Sequence, residues 1–214
     1  MLFRNAISAA LAIVVVAALP SNAQVYPLTP VPLFHYDTQP EYTFNYTKQL
    51  TLKPEYSEEI LESRSILHKL GAYVEVSQFS DIMTKTRPIQ SSGDFASGFP
   101  ATIFAPINSP TGNLTLHGDL ATTVKYHLHV DTTMYDLSKL EKNRPYGGAA
   151  RSGHIHVLKQ GPNLLVNCVK VIARPIVARN GIIYPIESPL RPGDGDRILN
   201  AVRNKKKIDC RDFQ

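Results

Sequence analysis

The chain of 214 residues contains no tryptophan, only two cysteines, and fewer glycines than prolines, 12 against 16. An excess of proline favours extended segments and tight turns over long helices. The sequence has no Gly-x-Ser-x-Gly nucleophile elbow and no phosphate-cradling loop, which are signs of serine hydrolases and nucleotide-binding enzymes. Apolar residues make up 43% of the chain, enough to form a core and too many for an intrinsically disordered protein.

The amino terminus has the organisation of a cleavable signal peptide. Arg4 precedes an apolar run from about Ala9 to Leu19, and small residues surround position 23. The run is shorter than the roughly 20 apolar residues that a membrane anchor, the alternative, needs. We therefore expect residues 1–23 to be removed after Ala23, and the protein to be secreted and extracellular without a membrane span.

Charge and cysteine content fit an extracellular protein. The net charge of +5 becomes +4 when Arg4 is lost with the leader, which argues against a nucleic-acid binder. The number of cysteines is even, since the chain has only Cys168 and Cys210, and we therefore expect a disulfide between them. The alternative is two separate thiols. The sequons at Asn45 and Asn113 predict two N-glycosylation sites.

The remaining chain divides into three parts. Residues 24–56 are rich in proline and tyrosine and predict an extended leader. Residues 57–192 predict one α+β domain, in which helices come first and strands later. Its expected elements are helices at Ser57–Lys69 and about Val76–Thr84, strands at Ala101–Pro106, Lys125–Val130, His154–Lys159, Asn163–Cys168 and Ile182–Ile186, and a turn at Asn180-Gly181. Residues 193–214 predict a polar, basic tail.

Four short motifs of this domain occur in an order typical of one extracellular family. They are Thr102-Ile103-Phe104-Ala105-Pro106 with Asn108, the pair Tyr126-His127, the stretch from Val166-Asn167 to Asn180-Gly181-Ile182-Ile183, and Leu190-Arg191-Pro192. Together they resemble the signatures of fasciclin-like (FAS1) domains over roughly Ser63 to Pro192. The resemblance implies a FAS1-like wedge, a twisted β-sandwich with helices packed along one edge.

The same resemblance implies a function in cell adhesion or matrix binding, without catalysis, catalytic residues or a cofactor. The partners would be cell-surface or matrix proteins, or sulfated or acidic glycans. Tyr126 and His127 become adhesion candidates, with a structural role at the base of the sandwich as the alternative. A third function class is a carrier of a small apolar ligand between the helices and the sandwich.

Histidines raise a second hypothesis, a secreted metal-dependent hydrolase. His127 and His129 are two residues apart on a predicted strand, as are His154 and His156, so each pair would share one face. Neutral imidazoles are good zinc ligands. Thr132, however, stands where a His-x-His-x-Asp hydrolase motif needs another histidine, and we expect structural histidines and no metal.

The tail contains the strongest local charge of the chain. Its five cations, opposed by Asp209, predict binding of a sulfated glycan or another anionic surface by Coulomb attraction. The alternative is a solvated tail without a ligand. The candidate residues are Arg203, Lys205, Lys206, Lys207 and Arg211.

Overall fold

A computed structural model describes residues 44–86, 101–130, 137, 145–147 and 153–213. The predicted signal peptide and the leader up to residue 43 lie outside these ranges. Residues 44–56 of the leader form no helix and contain a turn at residues 54–55. They join the domain, because Phe44 and Tyr46 pack on its core and the Lys48 N–H donates to the Ile172 carbonyl. No helix within the described ranges is long and apolar enough to cross a membrane.

The described chain contains five α-helices and eight strands. The helices are α1 (Glu58–Leu61), α2 (Ile66–Ala72), α3 (Ser77–Thr86), α4 (Leu120–Tyr126) and α5 (Asp194–Arg203), with short 3₁₀ turns at Val74–Val76 and Cys210–Phe213. The strands are β1 (Ala101–Pro106), β2 (Leu128–Val130), β3 (Pro145–Gly147), β4 (His154–Gln160), β5 (Asn163–Val166), β6 (Val169–Lys170), β7 (Ile176–Ala178) and β8 (Gly181–Ile186).

These strands form two four-stranded sheets. The first has the order β2-β1-β8-β7, with β1 and β8 parallel and the outer pairs antiparallel. The second is an antiparallel sheet of order β3-β4-β5-β6. A bridge between Val171 and Ile186 connects the two sheets. The predicted α+β class is confirmed.

The first sheet is the middle layer of the domain. Alternate residues of β1 and β8 point to opposite sides, as the two-residue period of a strand requires. Phe104, Tyr184 and their neighbours join a core cluster with β4 and β5. Ile103 and Ile183 instead join a second cluster with α2, α3 and α4. Every residue of β1 is buried, as expected for a strand covered on both faces.

The first helix differs from its prediction. One helix was expected over Ser57–Lys69, but the chain forms α1 and α2 with a break at residues 62–65. Ser57 caps α1 as predicted, since its hydroxyl accepts from the Ile60 N–H. The start of α2 is set by a distant residue, because the Ile66 N–H donates to Asn180 Oδ1 at 2.8 Å.

The predicted strand Lys125–Val130 is wrong in its first half. Residues Leu120–Tyr126 form α4, and only Leu128–Val130 are a strand. Asp119 caps α4, because its carboxylate accepts from the Thr122 N–H at 2.8 Å. Tyr126 is therefore the last helical residue and His127 its C-cap, so His127 and His129 do not share a strand face as we had expected.

The chain beyond Pro192 is more ordered than a basic tail. It begins with α5, which packs on β4 and buries Ile198 and Leu199. The predicted disulfide between Cys168 and Cys210 is present, with 5.1 Å between the Cα atoms. Arg197 also holds the end of the chain, since its guanidinium lies 4.7 Å from the centre of the Phe213 ring.

Candidate functional site

Tyr126 lies at the junction of α4, β4 and α5. Its side chain is fully buried, and its hydroxyl donates to the His154 carbonyl at 2.8 Å and accepts from Asn167 Nδ2 at 2.6 Å. Burial raises the pKa of the Tyr126 hydroxyl. Asn167 completes the junction, because its Oδ1 accepts from the His156 N–H at 2.8 Å. Tyr126 therefore joins three elements in the interior.

His127 is also fully buried, and both of its ring nitrogens are used. Nδ1 lies 2.8 Å from the Thr123 carbonyl, and Nε2 lies 2.9 Å from the Leu190 nitrogen. A carbonyl oxygen can only accept and a backbone N–H can only donate, so the neutral ring carries its proton on Nδ1. Burial lowers the pKa of His127 to about 4, which keeps the ring neutral at physiological pH.

Neither adhesion candidate reaches the surface. With both side chains enclosed, Tyr126 and His127 cannot touch a partner while the domain is folded as described. Their hydrogen bonds place them in the structural role that the sequence had left open as the alternative. Any contribution they make to adhesion would then come from holding the surface residues in place.

The four histidines do not assemble into a metal centre. His127 bonds to Thr123 and Leu190, whereas His154 Nδ1 lies 2.6 Å from Asp196 Oδ1. His154 and His156 are on β4 as predicted, and burial lowers the pKa of His156. Within the described ranges, no group of three or more His, Cys, Asp or Glu residues could hold a metal ion. The hydrolase hypothesis gains no support from this geometry.

All five cations of the predicted site are exposed, and four of them lie at or just after the end of α5. We define the basic turn as residues 203–207, whose cations Arg203, Lys205, Lys206 and Lys207 are all exposed. Arg211 is different, because its guanidinium forms hydrogen bonds to both carboxylate oxygens of Asp209. This contact also lowers the pKa of Asp209 to about 2. The structure therefore separates four available cations from a fifth that is paired.

A groove of about 1130 Å³ lies between segment 44–50, α1 and residues 173–177. Its lining mixes the carboxylates of Glu58 and Glu62 with the cationic Lys69 and Arg174. Such a polar lining does not suit a small apolar ligand, which prefers a mainly apolar pocket. The space between the helices and the first sheet is itself filled by core side chains. The carrier hypothesis therefore gains no support from the described residues.

A match to a family model shows the family of the chain. The family model of the fasciclin domain matches residues 68–192, more than half of the 214 residues. The chain belongs to the fasciclin family. The predicted FAS1-like fold is thereby confirmed, and membership brings a general expectation, because fasciclin domains are known in adhesion and extracellular proteins and are generally not enzymes.

One solved structure that resembles the chain is a FAS1 domain pair from the insect cell adhesion molecule fasciclin I. It is 17% identical, with a TM-score of 0.46, and the match covers 62% of this chain and 52% of that one. The chain thus spans about half the length of this solved structure. No curated protein matches the chain.

The fasciclin signature residues of this chain hold its elements together. Asn108 links the loop after β1 to α3, because its Oδ1 accepts from the Gln78 N–H at 2.9 Å and its Nδ2 donates to the Val74 carbonyl. Asn180 sets the start of α2, and His127 receives the Leu190 N–H. The motif residues Asn108, His127 and Asn180 therefore make contacts that hold the fasciclin fold together.

Both predicted glycosylation sites are exposed. Asn45 and Thr47 of the first sequon are exposed, as are Asn113 and Thr115 of the second. We expect Asn45→Gln and Asn113→Gln each to remove one glycan from the protein produced by secreting mammalian cells, because the transferase needs the asparagine amide. Gel mobility with and without peptide N-glycosidase measures this. Asn200→Gln, an exposed asparagine outside a sequon, is the control, and unchanged mobility in the sequon variants would contradict the prediction.

Proposed function

We propose that this chain is a secreted, glycosylated and non-catalytic fasciclin module that binds protein or glycan surfaces in cell adhesion or in the extracellular matrix. Membership of the fasciclin family over residues 68–192 carries this proposal. The leader, the two exposed sequons and the disulfide are all typical of a protein that passes through the secretory pathway.

Burial and charge support a binding surface near the end of α5. Tyr126 and His127 are enclosed, so they position other residues. The four cations of the basic turn are exposed on the described surface and offer a site for acidic or sulfated glycans. A protein partner would need a contact on the order of 800 Å² on each side. An acidic glycan needs only a local cluster of positive charge.

A coating assay tests the proposed function. The full-length gene is expressed in secreting cells, the purified protein is coated on plastic, and attachment of matrix-producing cells is counted over a range of coating densities. We expect attachment to rise with coating density and to persist in Tyr126→Phe, because this variant removes a buried hydroxyl and leaves the surface unchanged.

The control is the same protein after reduction and alkylation, which breaks the bond between Cys168 and Cys210. Absence of attachment for native protein, or equal attachment for the native and alkylated forms, would contradict a folded adhesion module. The absence of catalysis is tested separately by metal analysis, since stoichiometric zinc in the purified protein would favour the hydrolase instead.

A further inference from the structure

The basic turn keeps its cations close together at a fixed place on the domain. At its first end, the Lys205 N–H donates to the Val202 carbonyl and the Lys206 N–H to the Ala201 carbonyl, each near 3 Å, which is the Schellman pattern of a helix C-terminus. At its other end, Cys210 is bonded to Cys168. The turn is therefore held on both sides, unlike a free tail.

Helix capping alone does not explain these cations. A positive side chain stabilises the negative end of a helix dipole only within the last turn, which accounts for Arg203. Lys206 and Lys207 lie beyond the cap. Lys205 has a φ of 53°, a left-handed conformation that favours glycine, so helix capping does not account for a lysine here either.

Neighbouring carboxylates leave the charge of the turn largely uncompensated. Asp194 and Asp196 are at the other end of α5, roughly 10 to 15 Å away along a helix of ten residues. That distance exceeds the Debye length of about 8 Å at physiological ionic strength. Both are also engaged, Asp194 with Arg197 and Asp196 with His154. Asp209 is nearer; its hydrogen bonds go to Arg211, and of the four cations of the turn it attracts Lys207.

We propose that the basic turn binds sulfated polysaccharide chains through Arg203, Lys205, Lys206 and Lys207, without Arg211. This rests on the proposed adhesion function and names its ligand. The sequence Arg-Asn-Lys-Lys-Lys contains no apolar side chain that would enter a bilayer. Anionic lipid is concentrated in the cytoplasmic leaflet, whereas a secreted protein meets sulfated glycans outside the cell.

Heparin is the probe for this proposal. Full-length protein from secreting cells is passed over immobilised heparin at about 0.15 M NaCl, and the affinity is measured again at higher salt. The test variant is Arg203→Gln/Lys206→Gln/Lys207→Gln. The control is Lys48→Gln/Lys85→Gln/Lys125→Gln, which removes the same charge from three lysines exposed elsewhere.

We expect the test variant to bind heparin at least ten-fold more weakly than the native protein, with the thermal midpoint unchanged, because each cation near a polyanion adds several-fold to the affinity. The control variant should stay within about two-fold of the native affinity. Equal losses in both variants would show that net charge alone drives binding, and no loss in the test variant would place the site elsewhere. Either result overturns the proposal.

A second pair of variants tests the assignment of Arg211. Asp209→Asn/Arg211→Gln removes a neutral pair and should leave heparin affinity within about two-fold, whereas Asp209→Asn alone should raise it by freeing Arg211. A large loss in the double variant would return Arg211 to the site and overturn its exclusion.

Two further measurements distinguish a membrane ligand from a glycan, and failure of the proposed site from failure of the proposed adhesion function. Binding to vesicles of phosphatidylserine and phosphatidylcholine that is as tight as heparin binding, and equally sensitive to the test variant, would overturn the glycan assignment in favour of a membrane. Cell attachment to native protein together with unaltered heparin binding by the test variant would refute this site alone. Variant-sensitive heparin binding without attachment of cells would refute the adhesion function and leave the site supported.

Discussion

Replacing Gly195 with alanine is expected to destabilise the folded protein by about 3 kcal/mol, although Gly195 is in a helix, where alanine normally adds about 1 kcal/mol of stability. A Cβ at this position would lie 1.7 Å from the His154 carbonyl oxygen and 2.8 Å from the Tyr126 hydroxyl. The first of these is backbone of β4 and cannot rotate away. Either α5 must move off the sheet or β4 must shift, and overpacking of this kind is destabilising.

Gly71→Ala is the matched control for this prediction, since Gly71 is also in a helix. Its Cβ would meet Ser80 Oγ at 3.4 Å, an ordinary contact with a side chain that can rotate. We expect this variant to match the native protein or to be up to about 1 kcal/mol more stable. Urea unfolding of the three proteins gives the free energies. If Gly195→Ala were as stable as the native protein, the close packing of α5 on β4 would be wrong.

Local patterns were sufficient to predict part of the fold. The apolar run of β1, the hairpin between β4 and β5, and the turn at Asn180-Gly181 all occur as expected, because neighbouring residues determine them. The disulfide between Cys168 and Cys210 also followed from their even number and the extracellular context. The four fasciclin motifs then indicated how these pieces belong together.

Contacts between distant residues were not predictable from the sequence. Ile66 and Asn180 are 114 residues apart, yet their hydrogen bond determines where α2 begins. The helix α5 was missed for a different reason, because Asp194-Gly195-Asp196 is typical of a turn. A signal was available there, since Ile198, Leu199 and Val202 recur at helical spacing after an acidic first turn.

The candidate site shows the same limit. The sequence marked all five cations of the C-terminal segment equally, and only the structure pairs Arg211 with Asp209 and leaves the other four available. It also marked Tyr126 and His127, which the folded chain encloses. Sequence motifs identify residues that a fold needs, and their exposure in the structure decides which of them a partner can reach.

Acidification is expected to weaken the fold by about 3 kcal/mol through His127. The pKa of His127 is about 4 in the folded protein against an ordinary value of 6.5. Between these values the unfolded chain binds a proton that the folded chain excludes, so stability falls as the pH falls from about 6.5 to about 4. Protonation would place a second N–H against that of Leu190, which is why the folded ring resists it.

Two neighbouring groups also change the pKa of His127. The Thr123 carbonyl raises it, and the positive form of His129 would lower it further. Burial is the largest cause, and it lowers the pKa of His156 in the same direction. His127→Gln removes the titrating ring while its amide oxygen is still able to accept from the Leu190 N–H. We expect this variant to be less stable at pH 7.5 and to lose less stability on acidification.

Urea unfolding at several pH values between 7.5 and 4 measures both effects. The exposed His68→Gln on α2 controls for the loss of an imidazole as such. Parallel pH profiles for the native protein and His127→Gln would show that this ring is not the source of acid sensitivity. A flatter profile for His127→Gln would assign the acid limit of this fasciclin domain to protonation of the buried His127 ring, which accepts from the Leu190 N–H when neutral.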